Sequence, residues 1–409
     1  MFSIHSDPLA HLGSQETGGQ NIYVRSLAEE LGKLGHKVDV FTRWDSTNKK
    51  HISQINKNAR VVRLRGGKKS YVQKTELFNI LPEVYLNFLK FIEVKDNYDV
   101  FHGHYWDGAW MALKAKCQFS KPLIENFHSL GKIRQATKKK YLTNKNETDY
   151  FQKRFDVEKE TVERADAVVS LAKSEKESLV KIYDSIPGKV KVIPGGVNLQ
   201  KFKPLSKEKA RESLRIDQKN FVLLYVGRLE WRKGIGSLIT ATKLLKKKIP
   251  NIKIVIVGGK IHGKEKNVLD FKEYERLLEK AKKEKVENLI KFTGMINHRR
   301  LRNFYSAADA LIVPSYYEPF GLVALEGMAT KIPVIVSAVG GLKEIISHKK
   351  TGLLFKARSP VDIKNKVQML YSSKRLQEKL IKNGYKYVSK NHSWPFIAKK
   401  ISDEYKKYI

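Results

Sequence analysis

The chain has 409 residues, 41% of them hydrophobic and 10% aromatic, enough for two domains with a core each. That balance excludes a disordered protein, and the absence of any apolar run of roughly eighteen residues excludes a helical membrane span. A net charge of +37 invites a nucleic-acid partner, but the lysines are spread through nearly every segment, with small clusters at 138–140, 246–248 and 282–285. No zinc-finger spacing, aromatic-interleaved basic motif or recognition-helix pattern accompanies them, so no nucleic acid is expected. The single cysteine, Cys117, allows no internal disulfide and fits a reducing, cytoplasmic compartment.

Apolar strand-like runs alternate with longer helical patterns, which predicts βαβ units around parallel sheets, an α/β fold. Strands are expected at 2–5, 38–42, 59–64, 100–104, 123–127, 167–171 and 190–193, with a helix over 20–34 closed by Gly35. The turn-rich stretch 194–204 lacks helical period and divides the chain. Strands are then expected at 221–226, 252–257, 290–292, 310–313, 334–337 and 353–355. The expected domains are 1–193 and 194–393, both doubly wound, with a final charged helix over 394–409 that packs back on the first.

Open parallel sheets bind ligands outside the carboxyl ends of their strands. Arg228 and Lys233 follow the strand ending at Val226, inside Arg228-Leu-Glu-Trp-Arg-Lys233-Gly234, and both suit phosphate oxygens. Two solvated surface cations are the plainer alternative. The second motif is Glu318-Pro-Phe-Gly-Leu-Val-Ala-Leu-Glu326. Pro319 suits the first turn of a helix and Gly321 admits close backbone approach, so a phosphate fits the helix start. Helical throughout, the motif would set its two carboxylates about 12 Å apart, one for each sugar of a nucleotide-sugar. A helix-start carboxylate and a salt-bridge partner would also explain the pair.

The chain resembles the retaining, nucleotide-sugar-dependent glycosyltransferases of family four (group 1), near the sucrose-phosphate-synthase-like and inositol-phosphate N-acetylglucosaminyltransferase-like branches. The residues that carry this likeness are the two motifs above with His5-Ser-Asp-Pro-Leu, Glu16-Thr-Gly-Gly-Gln-Asn21, Phe101-His-Gly-His-Tyr-Trp106, Phe127-His-Ser-Leu-Gly131 and Val339-Gly-Gly-Leu-Lys-Glu344. The resemblance implies a GT-B fold, two Rossmann-like doubly wound domains facing across a cleft. It implies that Arg228 and Lys233 hold the donor diphosphate, that Glu326 bonds the ribose, and that Glu318 meets the transferred sugar. Phe320, Gly321 and Leu322 would line the donor through the helix start, and Gly18 and Gly19 would let donor phosphate and acceptor approach the backbone. His128 would contact the transferred sugar. On the acceptor side the resemblance implies Gln20, Asn21, Lys74, His104, Tyr105, Ser129 and Arg154, the last with Tyr105, Ser129 and Lys74 around an acceptor phosphate.

The reaction implied moves a hexose, UDP-linked, to a hydroxyl of a phosphorylated small molecule, with retention at the anomeric carbon. No Asp-x-Asp pair is present to bridge a metal to diphosphate, so no metal and no cofactor are expected, and the arginine–lysine pair stands in for the cation. His102 and His104 share one strand face but have no third ligand nearby. Two alternatives stay open: transfer to a lipid or growing glycan, aided by weak association of the basic surface with an anionic membrane, and epimerisation of the nucleotide-sugar. Two departures stand out. The chain opens at Met1-Phe-Ser-Ile-His5, a stub of a first strand, and a lysine-rich loop at 138–149 is positioned to alter acceptor choice.

Overall fold

A computed structural model describes residues 1–10, 18–92, 98–138, 145–259, 261, 269–297 and 300–409. Two residues of the Glu16–Asn21 motif, Glu16 and Thr17, and positions 139–144 of the lysine-rich loop lie outside them. The chain divides into two units, Met1–Gly195 with Trp394–Ile409, and Gly196–Ser393.

The first unit carries strands β1 (Val38–Arg43), β2 (Ile52–Asn56), β3 (Ala59–Leu64), β4 (Phe101–His104), β5 (Leu123–Asn126), β6 (Ala167–Ser170) and β7 (Val190–Val192). Between them run helices α1 (Gly19–Lys33), α2 (Leu81–Ile92), α3 (Tyr105–Phe119), α4 (Gly131–Lys138), α5 (Lys145–Arg164) and α6 (Lys173–Tyr183). Two ladders form, β1-β3-β2 and β4-β5-β6-β7, parallel except for β2 against β3. Phe2 joins them. It bridges Phe41 of β1 on one side and Gly103 of β4 on the other, with its N–H donated to the His102 carbonyl at 2.8 Å. The strand expected over 2–5 is thus reduced to bridges through one residue. The Phe2 ring sits in an aromatic core with Phe41, Phe88 and Phe101.

The second unit carries β8 (Phe221–Val226), β9 (Ile252–Val257), β10 (Ile290–Gly294), β11 (Ala310–Val313), β12 (Val334–Ser337) and β13 (Leu353–Phe355) in one sheet, ordered β10-β9-β8-β11-β12-β13. Every pairing is parallel. This is the doubly wound order, in which the winding reverses between β8 and β11. Except for β10 at the edge, the strands are mostly Ile, Val and Leu, as in a sheet covered on both faces. The helices of this unit are α7 (Lys207–Leu214), α8 (Ile235–Leu245), α9 (Leu269–Lys283), α10 (Leu301–Ala307), α11 (Leu322–Ala329), α12 (Leu342–Ile345), α13 (Pro360–Tyr371) and α14 (Lys374–Asn391). Ser206, Ser359 and Ser373 cap α7, α13 and α14 by accepting a backbone N–H, and Pro360 opens α13 where a missing N–H costs nothing.

The last helix, α15 (Trp394–Tyr405), belongs to the first unit. It buries Trp394, Ile397, Ala398 and Ile401, packs Trp394 edge-on against Tyr23 of α1 at 5.2 Å, and places Tyr405 Oη 2.6 Å from His102 Nδ1.

Candidate active site

In the second unit the two sequence motifs follow β8 and β11, which pair in register at Leu223–Ala310 and Leu224–Leu311. Their carboxyl ends therefore lie side by side where the winding reverses. After β8, residues Trp231–Lys233 form one 3-10 turn stopped by Gly234, whose φ is +71°. The Arg232 carbonyl accepts the Tyr316 N–H at 2.7 Å, and Arg232 Nη1 donates to the Tyr317 carbonyl at 3.3 Å, so this turn is clamped to the loop after β11. Lys233 Nζ then lies 2.6 Å from Glu318 Oε2.

These groups form a network larger than the two cations expected. Glu230 takes Arg228 at 2.7 Å through one oxygen and Arg232 at 2.6 Å through the other. Lys233 is largely buried against Glu318, whereas Arg228, ion-paired to Glu230, keeps 34% of its side chain exposed. Three cations and two carboxylates leave one net positive charge at the switch point. Burial lowers the Lys233 ammonium, and Glu318 only partly offsets it. Burial pushes the Glu318 carboxyl up, but Lys233 and Arg232 outweigh it and hold the group below the usual carboxylate range. Glu318 stays ionised at neutral pH.

The helix does not begin where expected. Pro319 and Glu318 precede it, and α11 starts at Leu322 behind Gly321, which is left-handed at φ +102°. The span from Glu318 to Glu326 is therefore not helical throughout. A Cβ on Gly321 would lie 2.4 Å from Leu342 Cδ2, and one on Gly340 (φ +45°) 2.1 Å from the Glu318 carbonyl oxygen. The Glu318 turn is seated directly on the Gly340–Gly341 backbone, and the Gly341 N–H donates to the Glu318 and Pro319 carbonyls, each at 3.2 Å. Leu322 and Val323 open α11, where helix N–H groups lack intrahelical partners and attract anions. Phe320 is buried, its ring 6.1 Å from His392. Glu326 is only 4% exposed and accepts the Tyr305 hydroxyl at 2.7 Å. Burial raises its pKa to about 7, against the pull of Tyr305 and Lys201.

In the first unit, two bulky residues at adjacent strand ends adopt left-handed backbone, Tyr105 after β4 (φ +70°) and His128 after β5 (φ +58°). Non-glycine residues hold such conformations only where the surroundings impose them. Tyr105 Oη accepts from Arg154 Nη1 at 2.6 Å, and the Arg154 guanidinium lies 4.5 Å from the Tyr105 ring centre. Arg154 is fully buried; it also donates to Glu158 Oε1 at 2.7 Å and to the Ser129 carbonyl. Lys74 Nζ stands 5.1 Å from the centre of the same ring. Burial pushes the Tyr105 phenol up, but Arg154, Arg134 and Lys74 outweigh it and pull it below the ordinary tyrosine range. The structure thus gathers Lys74, Tyr105, Ser129 and Arg154.

The remaining expected residues are placed less directly. His104 is wholly buried, so its ring meets His128 (Nδ1 to Nε2, 3.1 Å) and not solvent. Asn21 is buried too. Its amide takes the Gly18 N–H and donates to the Asp7 carbonyl, both at 2.8 Å, and so shapes the loop. Gln20 donates to Ser3 Oγ at 3.2 Å. At Gly18 an added Cβ would meet nothing within 4 Å, and Gly19 begins α1.

Sequence reasoning missed three carboxylates. Glu158 holds Arg154, the Gly131 N–H and the Tyr183 hydroxyl; its i,i+4 spacing from Arg154 on one helix was the available signal. Glu230 joins two arginines two residues away on either side. Asp107, buried in the first turn of α3, takes the His5 N–H at 2.7 Å and His5 Nδ1 at 2.9 Å, and nothing local in the sequence announced it.

A family model described as glycosyltransferase family 4 matches residues 17–201, and one described as glycosyl transferases group 1 matches residues 206–387. D-inositol 3-phosphate glycosyltransferase of Corynebacterium aurimucosum is 31% identical over 378 residues, 90% of this chain and 86% of that protein. The enzyme of that name from Kribbella flavida is 31% identical over 87% of this chain and 82% of its own. Among solved structures, a sucrose-phosphate synthase from Thermosynechococcus elongatus superposes with a TM-score of 0.89 at 33% identity, covering 99% of this chain and 97% of its own. Anabaena HepE, solved with UDP-glucose, shares the fold at 18% identity and a TM-score of 0.76, over 97% of this chain and 98% of its own. The doubly wound units, the motifs at their strand ends and these matches agree: the chain belongs to the family-four glycosyltransferases of GT-B fold.

Proposed function

We propose that this glycosyltransferase moves a hexose from a UDP-linked sugar to a hydroxyl of a phosphorylated small molecule, an inositol phosphate or a sugar phosphate, with retention at the anomeric carbon and without a metal ion. The Lys233–Glu318 pair at the winding reversal of the second sheet carries this reading. A diphosphate resting on the amino end of α11 meets N–H groups, Arg228 and Lys233 together. As the bond from the anomeric carbon to the β-phosphate oxygen breaks, negative charge grows on that oxygen, and these cations stabilise it where a divalent ion otherwise would. Glu318 bonds hydroxyls of the transferred sugar and faces the positive charge that develops on its ring. Glu326, ionised, accepts from the ribose hydroxyls. The new bond forms from the acceptor oxygen on the face the leaving group vacates, and the acceptor proton passes to the departing phosphate. His128 is neutral in this environment, burial holding it down at about 3, which suits a hydrogen bond to a sugar hydroxyl.

For the acceptor, relatives whose names carry an inositol phosphate and a sucrose phosphate support a phosphate monoester. Arg154 is already paired with Glu158, and Lys74 brings a second cation to the Tyr105 ring. Tyr105 and Ser129 supply hydroxyl donors, with Arg154 polarising the phenol from behind. The test is a panel of UDP-, GDP- and ADP-sugars against inositol phosphates and sugar phosphates, with EDTA present, following nucleotide release and the anomeric signal of the product by NMR. Release from a UDP-sugar that needs a phosphorylated acceptor and survives EDTA is expected. Turnover that demands a metal or ignores the acceptor phosphate overturns the reading.

A further inference from the structure

Three imidazoles form a row in the first unit. His102 and His104 flank Gly103 on β4, so both rings leave one face of the sheet, with centroids 4.2 Å apart. At one end Tyr405 Oη of α15 lies 2.6 Å from His102 Nδ1; at the other, His104 Nδ1 lies 3.1 Å from His128 Nε2. Nε2 of both His102 and His104 is buried without a hydrogen-bond partner among the described residues. The Tyr23 ring packs edge-on against His104 at 6.0 Å and His128 at 4.9 Å, closing the row from the α1 side. Burial pushes all three imidazoles down, so all are neutral.

A neutral imidazole has one N–H and one lone pair, so each contact in the row must match a donor with an acceptor. Burial raises the Tyr405 phenol well above its ordinary range, so it keeps its proton. Its hydroxyl has His102 Nδ1 as its one hydrogen-bond partner among the described residues. A phenol that donates to Nδ1 leaves His102 with its own proton on Nε2. Were His104 also protonated on Nε2, two buried N–H groups in neighbouring rings would lack acceptors, and orphaned donors are rarer than bare acceptors. The alternative puts the His104 proton on Nδ1, where it is donated to His128 Nε2. His128 is then protonated on Nδ1, the ring nitrogen that makes no protein hydrogen bond among the described residues.

We propose that His104 is a positioning residue that fixes His128 as its Nδ1–H tautomer, with Tyr405 and His102 setting the direction of the row, so that His128 offers the ligand a hydrogen-bond donor. The inference rests on His128 meeting the transferred sugar, and it adds what that contact selects: an oxygen able to accept, a hydroxyl or carboxylate of the sugar. It also ties the histidine to α15, which reaches the row through Tyr405.

The experiment has two arms. Nitrogen-15 NMR of histidine-labelled, unliganded protein distinguishes protonated from bare ring nitrogens, with signals assigned by single His→Gln substitutions. Expected are Nδ1–H at His104 and His128 and Nε2–H at His102; Nε2–H at His128 in the unsubstituted protein overturns the proposal. In the second arm, His104→Leu returns His128 to Nε2–H and lowers kcat about tenfold, the loss of one oriented hydrogen bond, at unchanged KM for the donor. His104→Asn, whose amide N–H stands near the Nδ1 position, stays within about threefold of the unsubstituted enzyme. Equal impairment in the two variants also overturns it. The NMR arm needs no substrate, so a failure there speaks to the tautomer, while absence of turnover with every nucleotide-sugar speaks to the proposed function.

Discussion

Glu326 titrates near 4.5 in an unfolded chain and at about 7 in the folded one. The native state holds its proton more tightly, so the stability this group contributes is full below about 4.5 and is lost as pH rises through about 7. The loss is on the order of 3 kcal/mol at most. Glu326→Gln, which mimics the protonated form, should remove that slope, and thermal melts of the two proteins should diverge between pH 5 and 8 in favour of the variant. Donor binding should run the other way. Only the ionised carboxylate accepts from two ribose hydroxyls, so affinity for UDP should rise through about pH 7 in the native enzyme and stay flat in Glu326→Gln. Arg154 poses a different problem. Its removal strands the fully buried Glu158 carboxylate, so Arg154→Met should cost about 3–5 kcal/mol by denaturant melting. An acceptor constant measured on that variant would mix folding with binding. Lys74→Met avoids this, and should raise the acceptor KM about tenfold with an unchanged melting midpoint and donor KM. These residues were legible as chemistry because guanidinium, phenol and ammonium groups advertise a phosphate. Their carboxylate partners were not, since a carboxylate that neutralises a buried arginine looks in sequence like any helix-surface acid.

At the scale of elements, strands buried on both faces were readable almost to the residue: β8 is an unbroken run of Val, Leu and aromatics, and β9 and β11 are apolar apart from Lys253, which leaves little choice of boundary. β2 was invisible because it is only half-buried, pairs antiparallel at the sheet edge and carries Ser53 and Gln54 at its centre. The start of α11 was misplaced because proline at a first helical turn is a statistical preference, while a left-handed Gly321 is a fact of the turn that only its packing against Leu342 reveals. That packing yields a prediction. Gly340→Ala would put a methyl group within 2.1 Å of the Glu318 carbonyl oxygen at φ +45°. The Glu318 turn must shift, so kcat should fall at least tenfold although residue 340 itself needs no contact with substrate. A crystal structure of the variant with Glu318 unmoved, or full activity, would contradict this account.

At the scale of the whole molecule, each unit has its own sheet and core, but only the second is continuous in sequence. A chain of residues 196–393 should fold alone and bind UDP, as calorimetry would show. A chain of residues 1–195 should not fold alone, because without α15 the face bearing His102 and His104 stands open; adding a peptide of residues 394–409 should restore part of its helical signal. The net charge of +37 adds a long-range term for anionic substrates. Accordingly kcat/KM should fall with ionic strength more steeply than the melting temperature does. Among the described residues no helix is long and apolar enough to cross a membrane.

The position of α15 also bears on biosynthesis. Tyr405 meets His102 across 303 positions of sequence, and the entire second unit is translated in between. On the ribosome the first unit emerges early yet must wait, its histidine face uncovered, while the later unit can complete itself. Premature stop codons after residue 393 would spare the nucleotide-binding half and leave the other in the hands of chaperones and proteases.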